Sequence, residues 1–165
     1  FPAINWLTSY SLYLNNIGGW FEEQVSPDWL VCRQKMMSLL QDEAKLDEIV
    51  QMVGMDALSA GDRLKMEAAR SIREDYLHQN SFHEIDTYTS LQKQFYLMKL
   101  VMAYYEESLE ALNEGASIRD LIMMNVRERI GRYKYTPEDA IEEEYNKVYG
   151  ELQDEIASLS RKGDE

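Results

Sequence analysis

The sequence predicts an all-α chain, a multi-helix bundle with a protruding helical hairpin, preceded by an aromatic-rich looped N-terminal segment. Three observations carry that expectation. Apolar residues recur at steps of three and four over long stretches, as in Leu91, Phe95, Met98, Met102, Tyr105, Leu109 and Leu112, the period of a helix with one face turned inward. Polar residues suited to helix starts (Ser59, Thr89, Ser117, Thr136) precede such stretches, and Gly54, Gly115 and Gly131 follow them. The stretch from Leu40 to Phe82 reads as two helices joined by a short exposed turn.

Taken in order, Phe1 to Tyr13 combines rings, β-branched residues and Ser or Asn with Pro2 near its start, which reads as a looped segment rather than a regular helix. Composition alone leaves Trp6, Tyr10 and Tyr13 as core or as site rings. Gly18 and Gly19 break the chain before Trp20 and Phe21, and Ser26-Pro27-Asp28 marks the next helix start. Trp29, Leu30, Met36, Met37, Leu39 and Leu40 support a helix from Trp29 to about Leu40 that feeds the hairpin.

In the first arm of the hairpin, Leu46, Ile49, Val50 and Val53 form one apolar stripe, while Asp42, Glu43, Lys45, Asp47 and Glu48 take the wet side; Gly54 stops the helix. Ser59 stands three residues before Asp62, a capping-box-like start for the second arm. There Leu64, Ala68, Ala69, Ile72 and Tyr76 face inward, and Glu67, Arg70 and Glu74 form ion pairs on the other face. Between Gln41 and Asp62 six acids (Asp42, Glu43, Asp47, Glu48, Asp56, Asp62) meet one base, Lys45, a local charge of −5. Such a run is usually a solvated face.

Gln79 to Tyr88 lacks a helical stripe and reads as a loop. Thr89 and Gln92 can cap the long helix that follows, in which Leu97, Leu100, Val101 and Tyr104 add a second apolar stripe; a helix apolar nearly all round belongs at the centre of a bundle. Ser117 begins a helix with Ile118, Leu121, Ile122, Val126 and Ile130 inward, ending at Gly131. Thr136-Pro137-Glu138-Asp139 starts the last one, along which Ile141, Tyr145, Val148, Leu152, Ile156 and Leu159 face the core; Arg161 to Glu165 is expected to fray. The expected division is a junction segment over 1–27, a helix plus hairpin over 28–82 and a bundle over 83–165.

The 165 residues suffice for one core, and 30 acids against 17 bases give a net charge of −13. A surface that acidic repels phosphate backbones, so nucleic acid is not an expected partner. No apolar run approaches the roughly 18 residues of a membrane span. Cys32 is the single cysteine, which forms no internal disulfide and fits a reducing cytoplasm. There is no GxxxxGK[ST] phosphate loop, no GxSxG elbow and no CxxC pair. His78 and His83 are the only histidines. Asp75 lies one helical turn before His78, but no second such pair exists, so no metal site is expected. The chain starts at Phe1 inside a dense motif and is expected to be part of something longer.

Two stretches carry a family resemblance. Leu46 to Val53, Gly54 and Asp56-Ala57-Leu58-Ser59-Ala60-Gly61-Asp62 resemble the C-terminal hairpin of the nucleotide-binding subunits of rotary ATPases. Phe1-Pro2-Ala3-Ile4-Asn5-Trp6 followed by Ser9-Tyr10-Ser11 resembles the junction of nucleotide and helical domains in the catalytic A subunit of V-type and archaeal-type ATP synthases. The non-catalytic B subunit and the F-type beta subunit share the hairpin plan without that junction motif.

The resemblance implies a C-terminal helical domain, without catalytic residues of its own, of a subunit that binds ATP or ADP with Mg and couples its synthesis or hydrolysis to proton or sodium transport. It implies B-subunit neighbours in a hexameric ring, a central stalk touched by Asp56, Ala57, Leu58, Ser59, Ala60, Gly61 and Asp62, and a place on the cytoplasmic face of the membrane. The family's adenine-pocket aromatics fall on Phe1, Phe82 and Tyr88; read from the residues alone, the same rings can pack the loop on the bundle. Eukaryotic relatives carry a cysteine after the ring matched by Tyr88, where this chain has Thr89, so redox silencing through that position is not expected. The acidic cluster of the F-type hairpin is diluted here to DALSAGD, which favours steric contact over a charge-driven push. The alternatives are a stand-alone helical interaction module and the non-catalytic B subunit.

Overall fold

The computed structural model describes residues 28–77 and 90–162, and all regular structure among them is helical. Helix α1 runs Trp29–Val53 as one element. The piece expected to end near Leu40 and the first hairpin arm are therefore continuous. No Gly or Pro interrupts the stretch, and Leu39 and Leu40 are buried along with Trp29 and Met36.

Gly54 ends α1 at φ 91°, a left-handed conformation that side chains with a Cβ resist, and its N–H donates to the Val50 carbonyl at 2.8 Å. A single 3₁₀ turn, Met55–Ala57, leads to extended Leu58. Ser59 then caps α2, Ala60–Ser71, its Oγ accepting the Asp62 N–H at 3.1 Å, as the sequence predicts. The arm widens into a π-helical turn, Ile72–Leu77.

Helix α3, Leu91–Asn113, starts at Ser90, whose Oγ accepts the Lys93 N–H at 3.0 Å. The expected cap, Thr89, lies outside the described residues. Gly115 closes α3 at φ 107°, and the Ala116 N–H returns to the Ala111 carbonyl at 2.9 Å, which satisfies an end carbonyl.

The single helix expected from Ser117 to Gly131 is instead two: α4, Ile118–Ile122, and α5, Val126–Arg132. A distant side chain explains the break. The Glu155 carboxylate accepts the N–H groups of Asn125 and Val126, giving α5 its own N-terminal cap. Gly131 sits inside α5 rather than after it.

Two 3₁₀ turns, Tyr133–Tyr135 and Glu138–Ala140, precede α6, Ile141–Lys162. The expected Thr136 cap does not form. The Glu138 carboxylate turns to accept the Ser90 N–H at 3.1 Å, and the buried Tyr133 hydroxyl donates to the Ile141 carbonyl at 2.7 Å. Helix α6 continues through Lys162, past the expected onset of fraying at Arg161.

The expected central helix is α3, which packs against α1, α2 and α6. Its stripe Leu97, Leu100, Val101 and Tyr104 is buried, together with Phe95, Met98 and Met102. Against it lie Leu64, Ala68 and Ala69 of α2, Ile72 of the π-helical turn, Val148 and Leu152 of α6, and Trp29, whose ring centroid is 6.2 Å from that of Phe95. Each fully buried Leu-sized side chain contributes about 1.5–3 kcal/mol, so this contact region holds the hairpin's base.

Candidate interaction site at the hairpin tip

The tip is built by three local devices: the left-handed Gly54, the 3₁₀ turn and the Ser59 cap. They fold Asp56, Ala57, Leu58, Ser59, Ala60, Gly61 and Asp62 into one compact turn. Asp56, Ala57 and Ser59 are exposed, while Leu58, Ala60, Gly61 and Asp62 are half-buried.

The apolar stripe expected to bury the first arm does not do so. Leu46 is buried, but Ile49 and Val53 are exposed, and Met52 and Met55 join them; Met52 is 83% and Val53 64% exposed. The reason is the start of α2. Its first turn reads Ala60-Gly61-Asp62-Arg63, and the first large apolar residue is Leu64, so α2 sets nothing large opposite the last turns of α1. These four side chains are the site residues that sequence reasoning missed, and that blank first turn was the signal.

The acids are sorted in the same way. Asp42 pairs with Lys65 at 3.3 Å and Glu43 with Arg73 at 2.9 Å, both across the two arms, so both are half-buried in cross-arm pairs rather than freely solvated. Exposed Asp47, Glu48 and Asp56 remain around the apolar cluster, and Asp47 accepts from the Gln51 amide at 3.1 Å. The tip is therefore an apolar knob with an acidic rim, suited to contact and not to covalent chemistry.

At its other end, α2 meets the break between α4 and α5. Arg127 fills the junction: Nη1 donates to Glu67 Oε2 and to the Ile122 carbonyl, both at 2.9 Å, and Nη2 to Ser71 Oγ at 2.9 Å and the Glu67 carbonyl at 3.4 Å. The guanidinium lies 4.9 Å from the Tyr104 ring centre. The expected ion pairs of Arg70 with Glu67 (3.8 Å) and Glu74 (3.0 Å) are present. An open depression of about 310 Å³ lies beside them, lined by Arg70, Asp75, Met123, Arg127 and Glu128 among others. Burial pushes the Asp75 carboxyl from its ordinary 3.8 up to about 6, with Lys134 and Arg127 opposing. Burial also pushes the Tyr104 phenol up to about 12 and raises the Cys32 thiol, keeping both protonated at neutral pH.

Among the described residues no group of three His, Cys, Asp or Glu side chains could hold a metal ion, and no helix is long and apolar enough to cross a membrane. Phe1, Phe82 and Tyr88, together with His78, His83 and the junction motif Phe1 to Trp6, lie outside the described residues. The structure thus assembles the tip residues and leaves the adenine assignment where the sequence put it.

Residues 18–122 match the family model described as the C-terminal domain of V and A type ATP synthase. The V-type ATP synthase alpha chain of Acetivibrio thermocellus is 56% identical over 162 residues, covering 98% of this chain and 28% of that protein. The protein of the same name from Clostridium botulinum (strain Okra) is 53% identical over 163 residues, 99% of this chain and 27% of its own length. That from Clostridioides difficile is 49% identical over 162 residues, 98% of this chain and 27% of its own. Such relatives support the alpha-chain reading and neither alternative. The chain spans a little over a quarter of their length, and it belongs to the family of C-terminal domains of V- and A-type ATP synthases.

Proposed function

We propose that this chain is the lever of the catalytic A subunit of a V/A-type rotary ATP synthase, coupling ATP synthesis or hydrolysis to proton or sodium transport. Its hairpin tip, Asp56 to Asp62 with Ile49, Met52, Val53 and Met55, bears on the central stalk. Phe1, Phe82 and Tyr88 form part of the adenine wall, since a purine is held by ring stacking and apolar contact. The phosphates and their Mg are handled by other parts of the subunit, because the sequence contains no phosphate loop. B subunits complete the ring on the cytoplasmic side of the membrane, and the junction, hairpin and bundle segments (1–27, 28–82, 83–165) act as parts of one helical domain.

The observation that supports this reading best is the uncovered apolar knob. Four large apolar side chains stand exposed at the end of a capped, well-anchored hairpin, and exposed clusters of this kind mark contact surfaces.

The test is made on the full-length subunit assembled in its complex. Replacing Ile49, Met52 and Val53 together by Ser should leave ATP hydrolysis in place and lower the ions moved per ATP consumed. Normal pumping by that variant would remove the tip from the coupling path. Phe82→Ala in the same complex should weaken nucleotide binding by about 1–3 kcal/mol, the scale of one lost base stack, and an unchanged affinity would take Phe82 out of the site.

A further inference from the structure

We propose that Arg127 is a positioning residue that clasps the hairpin's second arm to the elbow between α4 and α5, so that the tip and this end of the bundle turn as one body. The inference rests on the lever reading above, but its evidence lies at the opposite end of the hairpin.

A lever transmits displacement only if its base resists sliding and rolling. Apolar packing resists separation, yet it is non-directional, and Ala68 and Ala69 at the base of α2 are small. A guanidinium is a planar fork whose donors have fixed directions. Here the two terminal nitrogens are both engaged, with the Glu67 carboxylate, the Glu67 carbonyl and the Ser71 hydroxyl on α2 and with the Ile122 carbonyl where α4 ends. The Tyr104 ring of α3 lies beneath the guanidinium at 4.9 Å, and the Tyr104 hydroxyl donates to the Leu121 carbonyl at 3.2 Å. One side chain therefore ties α2, the end of α4, the start of α5 and the central helix.

The charges around the clasp are arranged to leave it undisturbed. Arg70 shares the Glu67 carboxylate at 3.8 Å while also holding Glu74, and Glu128 is paired with Arg132 at 2.8 Å. The elbow is stabilised independently by the Glu155 carboxylate on the N–H groups of Asn125 and Val126. Glu155 thus supports the elbow from α6, and Arg127 adds the attachment to the hairpin.

The experiment uses Arg127→Gln and Arg127→Lys in the full-length subunit within its assembled complex, with two readouts. Amide hydrogen exchange over Ala60–Ser71 should speed about tenfold in Arg127→Gln while Leu91–Asn113 is unchanged, the signature of local rather than global loosening. Ions moved per ATP consumed should fall while hydrolysis persists. Arg127→Lys keeps the charge beside Glu67 without the fork and should fall between parent and Gln in both readouts.

Unchanged exchange, or transport and hydrolysis declining in parallel at a constant ratio, overturns the proposal, because a merely stabilising residue lowers both together. If Arg127→Gln fails to assemble, Ser71→Ala and Glu67→Gln each weaken one partner of the clasp and are judged by the same two readouts. The Ile49, Met52, Val53 triple variant separates the two ideas. Uncoupling there with none in Arg127→Gln overturns the clasp alone, and no uncoupling in either overturns the lever and the clasp with it.

Discussion

The two ends of the hairpin are made from the same two helices and obey opposite rules. At the base, Leu64, Ala68, Ala69 and Ile72 are fully buried against α3. At the tip, Met52 and Val53 of α1 stand mostly in solvent, and α2 offers nothing large to cover them. Apolar residues at helical spacing thus serve stability at one end and stand in solvent at the other. Periodicity alone does not separate the two uses; the residues opposite do.

The contrast can be broken or sharpened by substitution. Leu64→Ala at the base should cost about 2–5 kcal/mol, the range for removing a buried Leu side chain and leaving a cavity, read from the urea unfolding midpoint. A loss no larger than that of a surface change would mean that the base is not the anchor.

Asp75, on the π-helical turn that ends the arm, gives a pH-dependent test of the same region. Burial lets the folded chain hold this proton up to about pH 6, against 3.8 ordinarily. Between those values the folded state binds more protons than the unfolded one, so its stability falls as pH rises and the contribution is lost above about pH 6. Asp75→Asn has no such loss. Its stability relative to the parent should improve by about 1 kcal/mol from about pH 4 to about pH 7, allowing for solvent screening, and a constant difference between the two chains across that window would count against the burial.

The smallest effect is expected at the tip. Each of the Ser substitutions at Ile49, Met52 and Val53 should shift unfolding by no more than about 0.5 kcal/mol, measured on the three single variants by the same urea titration. A cooperative loss matching that of Leu64→Ala would show that the knob is covered after all.

What the sequence revealed followed from range. Ser59 and Asp62 are three residues apart, and their cap formed as read; the inward positions of α2, α3 and α6 also follow from local spacing. Local spacing failed wherever a distant group decided the outcome. Glu155 breaks the helix after Ile122 from about thirty residues away, and Glu138 abandons the start of the last helix for Ser90. Asp42 and Glu43 looked solvated because Lys65 and Arg73, their partners, lie on the other arm. The tip turn was legible in outline, whereas its apolar flank required noticing what the facing helix lacks.

The clasp also has a consequence for chain entropy. Arg127 and Glu67 are 60 positions apart, Arg73 and Glu43 only 30. Because closure entropy grows with the logarithm of loop length, that doubling costs only about 0.6 kcal/mol. The stretch between Leu77 and Ser90, which holds Phe82 and Tyr88, lies inside the larger loop. Its length and composition can therefore drift over evolutionary time at little thermodynamic expense to the clasp.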